Sequence, residues 1–321
     1  MQPKDPTIFA DVSEHFGIDN PAIAEKDYYV VQLLKLLSAF ACEHHTMVFA
    51  GGTALAKASI KLQRMSEDVD IKLLVNPGAA EISGNAMKKC RKALRERLID
   101  ELNASGFFQV NREKVTSWDE HRYIEIPVRY PQNYSKVPCL RPEIKLELIE
   151  TELLAGYAPI PICSLHNEAM QLAAEVPAFN TVPLISTQAE KVLSMLRRTA
   201  SSARDPARMD DESLVRHIYD THRLHQSVTF DLAELAGLIA AGMKMDRERY
   251  GTQHPEFAEN PIAEMRYGLS VVGSNPEYQR RYEAFVKPMV YGDVLPWDDA
   301  FGVFEAVARK TLDHIEQHRL I

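Results

Sequence analysis

The octapeptide Asp68-Val69-Asp70-Ile71-Lys72-Leu73-Leu74-Val75 admits few structures. Its alternation sets Val69, Ile71, Leu73 and Val75 on one face and Asp68, Asp70 and Lys72 on the other. A period of two predicts a half-buried strand, stopped by Asn76-Pro77-Gly78. Upstream, Met47-Val48-Phe49-Ala50 is a short apolar run ended by Gly51-Gly52, and Thr53 to Ala58 are good helix formers. The local order is therefore strand, glycine turn, helix, strand.

The rest of the first half fits around that centre. Val30, Leu33, Leu34, Leu37 and Phe40 recur at helical spacing between Asp27 and Ala41. A second helix runs from about Asn85 to Asn103, with Met87, Cys90, Leu94, Leu98 and Leu102 as its apolar stripe and a basic opposite face. Residues 107–115, 121–130 and 143–150 read as strands, the last two joined by a proline-containing connection from Pro131 to Pro142. Strands with few helices between them imply a mixed or antiparallel sheet. Tyr157 to Pro161 reads as a linker, and helices follow at 188–200, 212–226, 230–243, 260–270, 277–287 and 298–318. The fold class expected is α+β: a mixed sheet with flanking helices over residues 1–158, and a mostly helical domain over 159–321.

A chain of 321 residues with 45% hydrophobic content can build two cores. It has no apolar run near the ~18 residues of a membrane span, and Met1-Gln2-Pro3-Lys4-Asp5 lacks a signal-peptide pattern, so no membrane partner and a cytoplasmic location are expected. Cys42, Cys90, Cys139 and Cys163 are too widely separated for a zinc clip or redox dithiol and read as reduced and structural. His44, His45, His217, His222 and His225 complete no zinc pattern and read as solvated or capped. The net charge of -8 gives no global attraction to nucleic acid. Two local basic tracks supply an alternative: six cations in the ten residues from Lys88 to Arg97, and Arg197, Arg198, Arg204, Arg208, Arg216 and Arg223.

Asp68 and Asp70 project from one strand face with Cα atoms roughly 6.5 to 7 Å apart. Such a pair can share divalent ions, magnesium being the natural occupant, although a bare D-x-D is also a common solvated strand face. The Gly51-Gly52-Thr53 turn before it lets backbone N–H groups and a helix N-terminus approach phosphate. Together these features resemble the nucleotidyltransferase fold shared with DNA polymerase beta.

Five segments narrow the likeness. Gly51-Gly52-Thr53-Ala54-Leu55 and Arg64-Met65-Ser66-Glu67-Asp68-Val69-Asp70-Ile71 resemble the AbiEii/AbiGii toxin family of nucleotidyltransferases, which includes the MenT toxins. Glu25-Lys26-Asp27-Tyr28-Tyr29, Ile144-Lys145-Leu146-Glu147-Leu148 and Glu190-Lys191-Val192-Leu193 agree with it. The resemblance implies the toxin of a type IV-like toxin–antitoxin pair, with a cognate antitoxin, an NTP substrate and an acceptor hydroxyl at the 3′ end of a tRNA. It assigns Asp68 and Asp70 to magnesium and Gly51, Gly52, Thr53 and Ser66 to the triphosphate and metal, with Arg64 touching phosphate. It makes Lys191 a nucleotide-binding and catalytic lysine and Asp220 the aspartate that orients or deprotonates the acceptor.

A third metal carboxylate is expected from Glu147, whose face also carries Lys145 as a phosphate-neutralising cation, with Glu125 as the rival; a cross-strand ion pair explains either equally well. Lys191 follows Thr187-x-x-Glu190, which resembles a capping box and sets the lysine in the first turn of its helix. Ala200 to Asp211 reads as an inserted polar loop, with Arg204-Asp205 competing for the Asp220 assignment. Transfer to a small molecule or a protein side chain, and a non-catalytic partner-binding module, remain the alternatives.

Overall fold

The computed structural model describes residues 5–58, 60, 62–134, 140–208 and 210–321. Cys139 lies outside them. The chain forms two compact units, Met1–Ser59 with Met65–Val182, and Ile60–Arg64 with Pro183–Ile321.

In the first unit, α1 (Thr7–Phe16) and α2 (Pro21–Ala39) precede β1 (His45–Ala50), α3 (Gly51–Lys57), β2 (Asp68–Val75) and α4 (Gly84–Ala104). The strands β3 (Gln109–Val110), β4 (Thr116–Trp118), β5 (Tyr123–Arg129), β6 (Ile144–Glu150) and β7 (Ala158–Ile162) follow, then α5 (Leu165–Ala169) and β8 (Val176–Thr181). They make one eight-stranded mixed sheet in the order β3-β5-β6-β2-β1-β8-β7, with β4 paired to β5. The central strand β2 runs antiparallel to β1 and parallel to β6. Val69, Ile71, Leu73, Ile124, Ile126, Leu146 and Leu148 are fully buried on one face, as the alternation requires, so the other face is left for polar chemistry.

Helix α2 starts earlier than its apolar stripe indicates. Asn20 caps it by accepting from Ala22 N, Pro21 occupies the first turn, and residues 22–34 are all buried. Three consecutive charges lie inside, each matched by a distant partner. Glu25 accepts from Asn133 N and Nδ2, at 3.0 and 2.7 Å. The Lys26 ammonium meets Glu67 Oε2 at 2.5 Å and donates to the carbonyls of Arg141 and Glu143. Asp27 accepts from Lys57 and from Leu165 N. Burial is tolerated because Lys26 and Asp27 are ion-paired and Glu25 is hydrogen-bonded.

Several sequence expectations are corrected. Tyr157 to Pro161 is not a linker, since most of it is β7, which pairs antiparallel with β8 and keeps the first unit together as far as Val182. Pro159 and Pro161 are tolerated there because β7 is an edge strand. Of the strand expected over 107–115 only β3 forms, because a 3-10 turn at Arg112–Lys114 ends it, and β4 follows beyond the expected range. The basic run on α4 is not a uniform solvent face. Arg91, 3% exposed, forks onto Glu150, and Arg97 lies over the Phe40 ring. His45 is buried rather than solvated, its Nε2 2.8 Å from Glu150 Oε2.

The second unit comprises α6 (Leu184–Arg204), α7 (Arg216–Ser227), α8 (Leu232–Tyr250), α9 (Pro255–Glu259), α10 (Pro261–Ser274), α11 (Glu277–Phe285) and α12 (Trp297–Gln317). Ala189, Val192, Met195, Leu196, Ile239, Met265, Phe304 and Leu312 form its core. The polar loop expected from Ala200 begins later, because α6 continues to Arg204. The arginines of α6 and of the loop after it are neutralised within the unit: Arg197 by Asp246, Arg198 by Asp211, Arg204 by Glu264 and Arg208 by Asp205. Residues 60–64 are stapled into this unit. Tyr219 Oη donates to the Leu62 carbonyl at 2.9 Å, Tyr291 N donates to the Gln63 carbonyl at 2.9 Å, and Arg64 bridges to Val290. No helix of the described residues is long and apolar enough to cross a membrane.

Two stability measurements probe this packing. A Cβ on Gly268 in α10 would stand 2.2 Å from the Leu196 carbonyl oxygen of α6. Gly268→Ala is therefore expected to cost about 1–3 kcal/mol, whereas Gly237→Ala, with nothing within 4 Å, gains about 0.5–1 kcal/mol by helix propensity; thermal melts compare them. Burial pushes the Glu150 carboxyl up, but hydrogen bonds from His45 and Arg91 prevail and hold it at about 2. A carboxylate whose folded pKa is depressed contributes its stability above the unfolded value and loses it as pH falls through the folded one. Glu150→Gln should cost about 1–3 kcal/mol near neutrality, less than for a fully enclosed pair because the carboxylate is only partly buried, with the gap to wild type narrowing as pH falls from 4.5 toward 2 in urea titrations.

Candidate active site

The polar face of the sheet gathers one acidic cluster. Register sets Asp70 beside Glu147 across the parallel β2–β6 pair and Glu147 beside Glu125 across β5–β6. Glu147 is thus the immediate neighbour of Asp70, and Glu125 stands one strand further out. Lys145 Nζ lies 2.8 Å from Glu147 Oε1 and 3.3 Å from Glu125 Oε2, and Tyr123 Oη donates to Glu147. Arg141 Nη1 meets Asp68 Oδ1 at 2.5 Å.

The electrostatics follow from this crowding. Burial, then the charges of Glu147 and Asp68, push the Asp70 carboxyl well above its ordinary range. Burial also raises Asp68, against the pull of Arg141. Glu147 is pushed up by burial but pulled further down by hydrogen bonds from Lys145 and Tyr123. Asp70 and Glu147, neighbours across the β2–β6 pair, are thereby driven apart in their readiness to ionise. Two hard-oxygen groups short of positive charge suit a magnesium-type cation. Among the described residues no three of His, Cys, Asp or Glu converge on one point as they lie; Arg141 engages Asp68, and Tyr123 and Lys145 engage Glu147.

Gly51 opens α3 at φ +75°, and a Cβ on it would fall 1.8 Å from Asp70 Oδ2. Position 51 therefore admits no side chain, and the first turn of α3, which also carries Gly52, abuts the Asp70 carboxyl. Thr53 is buried. Its hydroxyl donates to the Asp68 carbonyl and stands 3.0 Å from Ser66 Oγ, so both hydroxyls lock the entry of β2.

Arg64, Lys191 and Asp220 meet inside the helical unit. Arg64 donates through Nε and Nη2 to Asp220, at 3.0 and 2.9 Å, and Lys191 Nζ lies 2.6 Å from Asp220 Oδ2. Asp220 is 0% exposed. Burial pushes its carboxyl up, yet Arg64 and Lys191 overcome this and hold it far below the ordinary range. The guanidinium expected at phosphate is thus forked onto Asp220. Lys191 is also not in the first turn of its helix. Pro183 is the residue before α6, so Thr187 and Glu190 are interior and Lys191 lies about two turns in.

Tyr123 and Arg141 are the site residues that sequence reasoning missed. Tyr123 was findable, since it shares the face of Glu125 two residues along an alternating strand. Arg141 lies in an irregular connection with no periodicity to mark it.

The two charge clusters should respond oppositely to neutralisation. Asp220→Ala leaves two cations buried without their anion and is expected to lose about 3–5 kcal/mol. Asp70→Asn removes a carboxylate whose raised pKa makes ionisation costly as pH rises through it, so the melting temperature at pH 7 should rise. Calorimetry of both variants checks the two signs.

A family model, described as the nucleotidyl transferase AbiEii toxin of a type IV toxin–antitoxin system, matches residues 35–303. The solved structure of MenT4, a nucleotidyltransferase toxin from Mycobacterium tuberculosis, is similar with a TM-score of 0.60 and 18% identity, covering 97% of this chain and 92% of that one. That likeness concerns the fold, a mixed α+β nucleotidyltransferase architecture. No match was found among curated protein sequences. Because the family model spans most of the chain, the protein belongs to the AbiEii nucleotidyl transferase toxin family of type IV toxin–antitoxin systems.

Proposed function

We propose that the protein transfers a nucleotide from an NTP to an acceptor hydroxyl at the 3′ end of a tRNA, with Asp68, Asp70 and Glu147 holding magnesium. The observation that carries this reading is the Asp68–Asp70 pair, raised in pKa and set against the first turn of α3. Magnesium, when bound, supplies charge that stabilises the phosphate oxygens. Every other role belongs to the chain. Gly51, Gly52 and Thr53 shape the turn that receives the triphosphate, and Gly51 keeps the backbone close to Asp70. Ser66 and Thr53 fix the start of β2 so that both aspartates keep their face. Lys145 keeps a cation beside Glu147 and is available to phosphate. Asp220 acts by fixing Arg64 and Lys191, whose charges it holds in place for the nucleotide.

The family implies an antitoxin partner and an NTP substrate. A small-molecule acceptor is the second reading, favoured by the internal neutralisation of Arg197, Arg198, Arg204 and Arg208, which removes much of the expected basic track.

The test incubates purified protein with each α-labelled NTP and total RNA, protein and metabolites, and asks where the label goes. Label on tRNA 3′ ends, dependent on magnesium, is expected. Asp68→Ala and Asp70→Ala should lower transfer by at least about 100-fold while remaining folded, and should relieve growth arrest in cells expressing the chain. Undiminished transfer by either folded variant would overturn the assignment. Label on metabolites or protein would replace the acceptor, and an absence of metal-dependent NTP binding would favour a non-catalytic binding module.

A further inference from the structure

We propose that Arg141 is the resident counter-ion of the free site, occupying Asp68 until a metal–nucleotide complex arrives and then transferring its guanidinium to a triphosphate oxygen. The inference rests on the reading of Asp68 as a metal ligand and adds a residue to it.

The backbone of Arg141 is clamped from two sides, whereas its half-exposed side chain makes a single hydrogen bond. Its N–H donates to Glu67 Oε2 at 2.8 Å, and its carbonyl accepts from Lys26 Nζ at 2.8 Å. Those two partners form the fully buried Lys26–Glu67 pair, and the preceding Leu140 is buried as well. The peptide is thereby held from both sides at the edge of the acidic face. The side chain leaves this clamp 44% exposed and touches Asp68 through one nitrogen, Nη1 to Oδ1, with Nε 4.0 Å from Glu67 Oε1.

A single-point contact on a half-exposed arginine is easily exchanged, since ion pairs in water-accessible settings hold weakly. A divalent ion with hard-oxygen preference brings twice the charge to the same carboxylate. Once displaced, the guanidinium remains at the site because its backbone cannot move away. Its planar fork suits phosphate oxygens better than one carboxylate oxygen. Arg141 therefore opposes the bare cation and assists the nucleotide, and removing it should move the two affinities in opposite directions.

The experiment uses Mn²⁺ and inorganic triphosphate as probes on the full chain, with wild type, Arg141→Gln and Asp68→Asn, all checked by thermal melts. Mn²⁺ binding followed by electron paramagnetic resonance without nucleotide should tighten about 3- to 5-fold in R141Q, the scale of a water-accessible ion pair. Triphosphate binding at saturating Mn²⁺, followed by calorimetry, should weaken about 10-fold in the same variant, as loss of a charge-assisted hydrogen bond requires. Arg141→Lys should restore part of both shifts. If Asp68→Asn lowers Mn²⁺ affinity but R141Q binds Mn²⁺ no more tightly than wild type, the counter-ion role is overturned while the metal assignment stands. Tightened Mn²⁺ with unchanged triphosphate binding overturns the exchange. If Asp68→Asn and wild type bind Mn²⁺ alike, the metal assignment itself fails and takes this inference with it.

Discussion

The buried pair of Lys26 and Glu67 organises the first unit. It joins α2 to the residue before the Asp68–Asp70 strand, and it grips the backbone of Arg141 and Glu143 at the entry to β6. Strands β2 and β6, which carry Asp70 and Glu147 side by side, are thus positioned by one ion pair set at their beginnings. Taking two charges out of water costs more than their attraction returns unless further hydrogen bonds complete them, and here the ammonium has two carbonyls and the carboxylate a backbone N–H. The pair thereby fixes the starts of β2 and β6, in the register that their alternating apolar faces also require.

Acidic crowding on the sheet is the complementary feature. Asp68, Asp70, Glu147 and Glu125 share a face with the cations of Lys145 and Arg141. Such an arrangement is poor for the resting fold and good for a ligand that brings positive charge, which is how functional sites depart from the local rules obeyed elsewhere. The helical unit shows the opposite solution, with a single carboxylate, Asp220, saturated by two cations and fully enclosed.

Much of this was legible in the sequence because periodicity survives where one face is wet. The alternation of β2, β5 and β6 gave their faces, and Gly51 was readable as a position where a backbone must come close. What escaped had no such signal. The hairpin of β7 and β8 contains Pro159 and Pro161, which look like linker residues until an edge position excuses them. The first turns of α2 carry Glu25, Lys26 and Asp27, which belong to no apolar stripe because their burial depends on partners as distant as Asn133 and Leu165. The start of α6 at Leu184 was hidden by a Thr-x-x-Glu pattern that lies inside the helix. The arginines of α6 looked like a track because their acids, Asp246 and Glu264, lie far along the chain.

Residues 60–64 give the architecture a further property. The chain leaves the sheet unit after α3, contributes Arg64 and its neighbours to the helical unit, and returns to enter β2. The backbone therefore passes between the units three times, and no single cut yields two self-sufficient pieces. A gene fusion joining the first 182 codons to a new downstream module would orphan a guanidinium whose anion was left behind. Arg64 and Asp220 must therefore travel together if either unit is moved into another chain.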